Sequence, residues 1–390
     1  MPWEAQSPMD LRHELIQRLA AGEKAADLRR AYGISKKTLN KFRARYERLG
    51  LEGLRDQSRA PHVVPHKTPP EVVELVLAER TRHPTWGPKK VKAALEQRLA
   101  RTLPSASTIG TVLAAHGLVA RRRRRPAHVP RPTGLVAAVA PNDTWCIDYK
   151  GQFRTGDRRY CYPLTITDQV SRFILASEGM PAISDEEARE VCREVFQQHG
   201  LPNVMRSDNG TPFASVGLAG LTKLAVFWLR LGIRIERIRR GHPEENGRHE
   251  RMHLTLKCET TRPARSNLLQ QQECFEAWRT EFNHTRPHEA LAMRCPADVY
   301  VPSTRPYPQT LPEPTYPTHD DALVVTRHGN IRVAGRQVYL CAPLAGETVG
   351  IRERGDGTWL VSFADLDLGT VAGGRLTPCD AITPTLPPTT

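Results

Sequence analysis

The sequence predicts a multidomain chain with α-helical helix-turn-helix N-terminal domains, a mixed α/β core and a small C-terminal β-barrel. Three observations lead there. The chain has 390 residues, beyond the length at which one core usually stops growing, about 250–300 residues. Its apolar periodicity is helical up to Gly117, changes to strands from Thr144, and breaks into short strands with Gly turns after Pro302. The charge divides as well: residues 1–140 hold 27 Lys and Arg against 12 Asp and Glu, net +15, and residues 141–390 hold 29 against 30, net −1.

The helical part comes first. Leu11, Leu15, Ile16 and Leu19 fall on one helix face. A shorter helix is expected from Lys24 to Tyr32. Gly33-Ile34-Ser35 then makes a tight turn, with Ser35 placed to cap a helix from Lys36 to Leu49. That helix carries Lys36, Lys37, Lys41, Arg43, Arg45 and Arg48. Two short helices joined by a Gly turn, the second one basic, form the helix-turn-helix pattern. Residues 68–119 repeat the theme, with helices expected over Pro70–Arg82, Lys89–Leu99 and from Ser105-Ala106-Ser107-Thr108 to Gly117.

A run of five arginines follows, Arg121, Arg122, Arg123, Arg124 and Arg125, in a stretch rich in Pro. Like charges repel and cannot pack a core, but they can lie along phosphates. With a net charge of +14 and a pI near 9.7, a polyanionic partner is expected, nucleic acid before membrane.

From Thr144 the residues alternate as in strands. Strands are expected at Trp145–Tyr149, Tyr162–Thr167, Phe173–Ser177 and Val204–Ser207, with helices over Ser184–His199 and Leu218–Leu231. Strands that then alternate with helices indicate a mixed sheet covered by helices. Beyond a Pro-rich connector, Leu323–Thr326, Ile331–Val333, Gln337–Leu340, Thr348–Arg352 and Trp359–Phe363 read as the strands of the small barrel. The expected boundaries are 1–60 and 61–125 for the helix-turn-helix domains, 126–140 for a basic linker and 141–305 for the core. A Pro-rich linker at 306–321, a barrel at 322–378 and a tail at 379–390 complete them.

Other classes fall away. The eight cysteines form no CxxC pair and none lies in the basic arm, against a zinc finger or a disulfide framework. They read as thiols in a reducing cytoplasm. No N-terminal apolar run has the length of a signal peptide, and no stretch approaches the roughly 20 apolar residues of a membrane helix.

Three carboxylates stand at positions suited to chemistry. Asp148 ends the strand Trp145-Cys146-Ile147-Asp148-Tyr149. Asp208, in Arg206-Ser207-Asp208-Asn209-Gly210, ends another just before a Gly turn. Glu250, in Asn246-Gly247-Arg248-His249-Glu250-Arg251, lies early in a helix reaching Cys258. Acidic groups at strand ends point into the crevice where open α/β sheets bind ligands. Hard oxygens suit magnesium or manganese. Any one Asp alone is ordinary, since Asp often ends strands and starts turns. Asp168 follows a strand and is expected to be structural, paired with Arg172.

Ser207-Asp208-Asn209-Gly210, the run His242 to His253 and the run Phe282-Asn283-His284-Thr285-Arg286-Pro287-His288-Glu289-Ala290-Leu291 resemble those of bacterial insertion-sequence transposases of the retroviral-integrase superfamily. The resemblance covers nearly the whole chain. It implies an α/β ribonuclease-H-like catalytic core that cuts and joins DNA with divalent metal, two Mg2+ ions (or Mn2+) per active site. It implies Asp148, Asp208 and Glu250 as the catalytic and metal-binding triad. His253 and Lys257 become DNA contacts, Lys257 returning to the face of Glu250 after about 700° of helix. Arg286, Pro287 and His288 would fix a C-terminal helix on the core. The implied partners are double-stranded DNA, both element ends and target, and further copies of the chain, at least a dimer. The implied location is cytoplasmic, at the nucleoid.

One interval departs from the pattern. Between Asp208 and Glu250 lie 41 residues. Retroviral relatives use a shorter interval, which by counting would select Glu244. The local Asn246-Gly247-x-x-Glu250-Arg251 pattern favours Glu250, because loop length varies, and the extra residues are expected in Ala214–Leu224. Glu244 and Glu245 then serve the start of the helix through its dipole. Two competing readings are a DNA-binding regulator derived from a transposase with its chemistry silent, and a ribonuclease H. Retention of all three carboxylates disfavours the first, and the helical arm disfavours the second.

Overall fold

The computed structural model describes residues 7–57, 67–119, 135, 137–239 and 241–379. The Arg121–Arg125 run lies outside them. The chain divides into two compact units, Met1–Thr68 and Pro69–Thr390.

The first unit contains α1 (Pro8–Ala20), α2 (Ala25–Ala31), α3 (Lys36–Leu49) and a 3-10 turn at Gly50–Leu54. Each start has a local cause. Ser7 and Asp10 form a reciprocal capping box on α1, and the Ser35 hydroxyl accepts from the Thr38 amide at 3.1 Å on α3. Gly33, with φ of 62°, supplies the left-handed residue of the turn between α2 and α3. Leu15, Leu28 and Leu39 form one small core, and Ile16, Phe42 and Leu54 a second. Leu11, expected on the inner face, stays 38% exposed.

The second unit begins with α4 (Pro70–Arg82), α5 (Pro88–Leu99) and α6 (Ala106–Ala115). Val72, Val76, Trp86, Val91, Leu95, Leu103, Ile109 and Leu113 close their core. A mixed sheet follows: β1 (Thr144–Tyr149), β2 (Phe153–Arg154), β3 (Tyr160–Asp168), β4 (Ile174–Met180), β5 (Val204–Ser207) and β6 (Arg234–Arg237). Its order is β3-β1-β5-β6, with β2 and β4 both paired to β3. The strands β1, β5 and β6 are parallel, while β3 runs against β1.

Helices α7 (Asp185–His199) and α8 (Lys223–Arg230) share an apolar cluster with Trp145, Ile147, Leu164 and Ile166. Helices α9 (Gly247–Thr260) and α10 (Leu268–His284) share another with Cys161 and Ile174. The alternation of side chains along each strand explains the division, because successive residues point to opposite faces. Leu218–Gly220 is a separate 3-10 turn ahead of α8, where one continuous helix was expected.

The Pro-rich connector is tied down by two arginines. Arg305 donates to the carbonyls of Pro202, Leu231 and Gly232, and Arg230 to those of Leu311 and Pro312. The C-terminal part holds β7 (Asp321–Val324), β8 (Asn330–Val333), β9 (Arg336–Tyr339), β10 (Thr348–Glu353), β11 (Trp359–Phe363), β12 (Leu366–Ala372) and β13 (Arg375–Pro378). Among the described residues the pairing runs β13-β12-β11-β10-β7, with β8-β9 as a separate hairpin. It does not close into the barrel that the sequence suggested. Ile331, Val333 and Val338 of the hairpin enter the apolar cluster that holds Val349, Val361 and Phe363 of the sheet, so packing joins the two pieces where hydrogen bonds do not.

Candidate active site

The parallel register of β1 and β5 pairs Thr144 with Val204 and Cys146 with Arg206. Asp148 lies two residues beyond the last of these pairs, near the end of β1, and Asp208 follows the last residue of β5 directly. Below them Arg206 and Glu236, cross-strand neighbours on β5 and β6, form a buried ion pair at 2.6 Å. Asp208 then turns the chain: its Oδ1 accepts from the Gly210 amide at 3.0 Å, and a Cβ at Gly210 would lie 3.0 Å from its Oδ2. The Asn209 amide donates to the Ile238 carbonyl at 2.6 Å. Arg237 reaches back to the carbonyls of Ala219 and Gly220, both at 2.9 Å, bracing the loop behind Asp208.

Glu250 stands exposed in the first turn of α9. Its charge reaches Asp148. The Asp148 carboxyl is pushed up to about 7, first by burial, then by the charge of Asp208, with Glu250 adding to it. The charges of the other two carboxylates named from the sequence therefore both reach Asp148. Helix α9 is anchored by Met252 and Leu256, 6% and 0% exposed, whereas Leu254 is 61% exposed. Glu245, expected to serve the helix dipole, is instead buried and accepts from both the amide and Nε of Arg239, at 2.8 and 2.6 Å.

The sequence reading missed a polar network beneath Asp148. Asp148 and Thr165 are directly opposite on β1 and β3, so both face α9. Thr165 Oγ1 lies 2.8 Å from His249 Nε2 and 2.7 Å from His253 Nε2, and His249 Nδ1 lies 2.8 Å from Thr167 Oγ1. A hydroxyl has one proton to give, so at least one ring donates to Thr165. Both imidazoles are buried. Burial drives His249 down to about 3, and burial with the charges of His249 and Lys150 takes His253 well below its ordinary value. The signal was available: two histidines four apart share a helix face, and Thr165 and Thr167 share a strand face.

His253 corrects an expectation. Its ring is 4% exposed and filled with protein contacts, so it cannot serve as a surface contact to DNA. Lys257 is exposed. Asp168 is structural, but its partners are backbone: its oxygens accept from the amides of Asn142, Val170 and Ser171 and from the Ser171 hydroxyl. No ion pair joins it to Arg172 among the described residues. Arg286 pairs with Glu259 at 2.8 Å and lies over the Trp86 and Phe282 rings, so it ties α9 and α10 to the α4–α6 unit.

On α3, Lys36, Lys37, Lys41 and Arg43 are exposed. Leu39 and Phe42 turn inward, which leaves Lys37, Lys41 and Arg48 along the outer face. Arg43 is paired with Glu47 at 2.8 Å, and Arg45 bonds Gln57 at 2.7 Å.

Two cation sites can be weighed on their donors. Asp148, Asp208 and Glu250 offer hard oxygens. Asp148, His249 and His253 present ligand atoms within 4.8 Å of one another, but three of the four ring nitrogens are already engaged by Thr165 and Thr167. The carboxylate set fits a divalent cation better, since its mutual repulsion is what a cation relieves.

The cysteines are free, and no described helix is long and apolar enough to cross a membrane.

Residues 138–243 and 231–296 each match the integrase core domain family. Residues 11–62 match a helix-turn-helix domain and residues 38–113 a homeodomain-like domain. An uncharacterised 39.2 kDa protein of insertion element IS476 from Xanthomonas euvesicatoria is 28% identical over 182 residues, 45% of this chain and 50% of that protein. An uncharacterised 31.7 kDa protein of insertion element IS407 from Burkholderia multivorans is 26% identical over 183 residues, 46% of this chain and 63% of that protein. The chain thus spans half to somewhat under two thirds of these relatives. The HTLV-2 integrase catalytic core domain, solved in complex with magnesium, superposes with a TM-score of 0.34 at 14% identity, over 42% of this chain and 100% of that one, too loosely to carry weight. The chain therefore carries an integrase core domain preceded by helix-turn-helix domains, and it is similar to proteins of bacterial insertion elements.

Proposed function

We propose that the chain cuts and joins DNA at the terminal inverted repeats of an insertion sequence. What supports this is the raised Asp148 carboxyl, pushed up by burial and then by the charges of Asp208 and Glu250. Those oxygens would hold Mg2+ or Mn2+, two ions per site. Bound there, such ions supply activation of the attacking oxygen and stabilisation of the leaving oxygen on a phosphodiester. The chain's own residues position the site. Strand β1 and the turn that follows β5 carry two of the carboxylates at the strand ends, α9 carries the third, and Thr165 and His253 contact Asp148.

Recognition belongs to the helical units. The outer face of α3, with Lys37 and Lys41, suits the major groove, as does a recognition helix in other helix-turn-helix proteins. Lys36, Arg43, Arg45, the Arg121–Arg125 run and Lys257 add contacts to phosphate. Joining needs two element ends together, which calls for at least a dimer of this chain.

The test is cleavage of linear DNA carrying the element ends, with Mg2+ and with EDTA. Metal-dependent nicking at the ends is expected. Specific binding with no nicking in any divalent metal would leave a silent DNA-binding regulator instead. Cutting confined to RNA–DNA hybrids would indicate a ribonuclease H.

A further inference from the structure

On the far side of α9 from Glu250 lies a cavity of about 490 Å³. Its lining comes from four places: Lys90 on α5, Arg172 in the turn after β3, Arg248 and Arg251 on α9, and Arg286 and His288 beyond α10. The acids nearby are already used. Asp168 is saturated by backbone amides and the Ser171 hydroxyl. Glu289 is paired with Lys89 at 2.8 Å, and Glu259 holds Arg286 at 2.8 Å.

Lys90, Arg172 and Arg251 have no ion pair or hydrogen bond through their side chains among the described residues. Lys90 is driven down to about 8 by burial and then by the charge of Arg286, with Glu259 and Glu289 offsetting part of it, and Arg172 down to about 10 by burial and then by Arg248, with Asp168 opposing. His288 has a buried Nε2 with no hydrogen-bond partner. Met252, Phe282 and Ala290 supply an apolar side to the same cavity.

We infer that this cavity binds the phosphate of a nucleotide, held by Lys90, Arg172 and Arg251, with its sugar and base against Met252 and Phe282. Five cations, Lys90, Arg172, Arg248, Arg251 and Arg286, line the space against two acids, Asp168 and Glu289; such an excess calls for an anion, and charge-assisted bonds to phosphate are the strong ones. The cavity is far larger than phosphate alone needs, and its apolar side gives the remainder of a nucleotide a surface to rest on. The nucleotide is either one unit of a DNA strand or a free nucleotide. The strand source deepens the proposed function and rests on it. Because α5 supplies Lys90 and the core supplies the arginines, occupancy would also join the α4–α6 unit to the core.

The test uses the full chain in EDTA, so that no strand is cut. Two probes are titrated, dAMP and a fluorescent single-stranded oligonucleotide, against the parent and the Lys90→Gln/Arg251→Gln variant. Both positions are on helices and without partners, so the variant should melt at or above the parent. Arg172→Asn is the second variant, since Arg172 has φ of 65° and Asn tolerates that region. Each variant should weaken binding by about tenfold or more and lower the slope of log affinity against log salt for the oligonucleotide by about 1.

Loss of oligonucleotide affinity alone assigns the cavity to a strand. Loss of dAMP affinity alone assigns it to a free nucleotide. Variants that fold and bind both probes as the parent does overturn the inference. If the parent binds dAMP but no DNA, the cavity stands and the proposed function falls.

Discussion

His253 Nδ1 lies 3.7 Å from Asp148 Oδ2, while the other nitrogen of the same ring contacts Thr165 at 2.7 Å. The ring is therefore held between the strand that opposes Asp148 and the carboxylate itself. A chain of contacts leads from Thr167 through His249, Thr165 and His253 to Asp148. The Thr165 hydroxyl also donates to the Asp148 backbone carbonyl at 3.2 Å, so the network holds Asp148 by its main chain as well as through the contact of His253 with its carboxylate. Buried polar networks of this kind fix geometry only when every member is satisfied.

His253→Leu should consequently loosen Asp148 while leaving DNA recognition alone. The expected result is a higher Mg2+ concentration for half-maximal cleavage and unchanged affinity for terminal DNA. Stability should fall by about 1–3 kcal/mol, because Thr165 loses a buried partner. His253→Asn, which keeps a donor, should recover part of the metal response. A Mg2+ titration of cleavage for the three proteins checks this, and identical half-saturation in all of them would contradict it.

The second prediction concerns Asp148 and pH. Burial and the charge of Asp208 hold its carboxyl at about 7, above the 3.8 of an ordinary aspartate. A raised carboxyl contributes stability that is complete below pH 3.8 and lost as pH rises through about 7. In EDTA the parent should thus weaken across that window, and Asp148→Asn, which cannot ionise, should not follow. Near pH 8 the variant should melt higher than the parent, and near pH 4 the two should agree. Mg2+ should then raise the melting temperature of the parent only. Asp148→Asn and Asp208→Asn should abolish cutting and joining while leaving DNA affinity roughly intact.

Particular residues show what the sequence made legible. Helix α3 begins and ends as expected because Ser35 and Gly50 are local signals that need no tertiary help. The strands that lead to Asp148 and Asp208 were legible because their alternation, and the Gly210 turn after Asp208, are local signatures too. Strand β6 was not, since Arg234-Ile235-Glu236-Arg237 carries three charges. Glu236 is buried with Arg206 paired to it across the ladder, and the half-buried Arg237 is received by the Ala219 and Gly220 carbonyls. Strands β12 and β13 escaped for a related reason, being defined by pairing with distant neighbours. The burial of His253 also depended on another element: Thr165 and Thr167 turn an ordinary helix histidine into part of the site.

The third prediction concerns recognition by α3. Lys37 and Lys41 lie on its outer face, while Arg43 is tied to Glu47 and Arg45 to Gln57. Lys37→Gln and Lys41→Gln should each weaken DNA binding and reduce its salt slope by about 1. Arg45→Gln should act less on DNA and more on the unit's stability. Ser35→Ala should cost about 1 kcal/mol through loss of the cap. Anisotropy on terminal and random duplexes at several salt concentrations separates these outcomes.

The last prediction decides the third carboxylate. Three glutamates are close in sequence: Glu244, Glu245 and Glu250. Glu245 is excluded by its place, because it is buried and accepts two hydrogen bonds from Arg239. Glu245→Gln should therefore lower the melting temperature, with a cost on the order of 1–3 kcal/mol, and keep metal-dependent cutting at temperatures where it stays folded. Glu250 is exposed, in the first turn of a helix whose Met252 and Leu256 are fixed in the core, and its charge already acts on Asp148. A metal ligand must project from an element that does not shift, and α9 is such an element. Glu250→Gln should leave the fold unchanged and abolish Mg2+-dependent cleavage. Glu244→Gln should retain most activity. Cleavage assays and melting curves on the three variants give a distinct pattern for each role, and an active Glu250→Gln beside an inactive Glu244→Gln would transfer the ligand to Glu244.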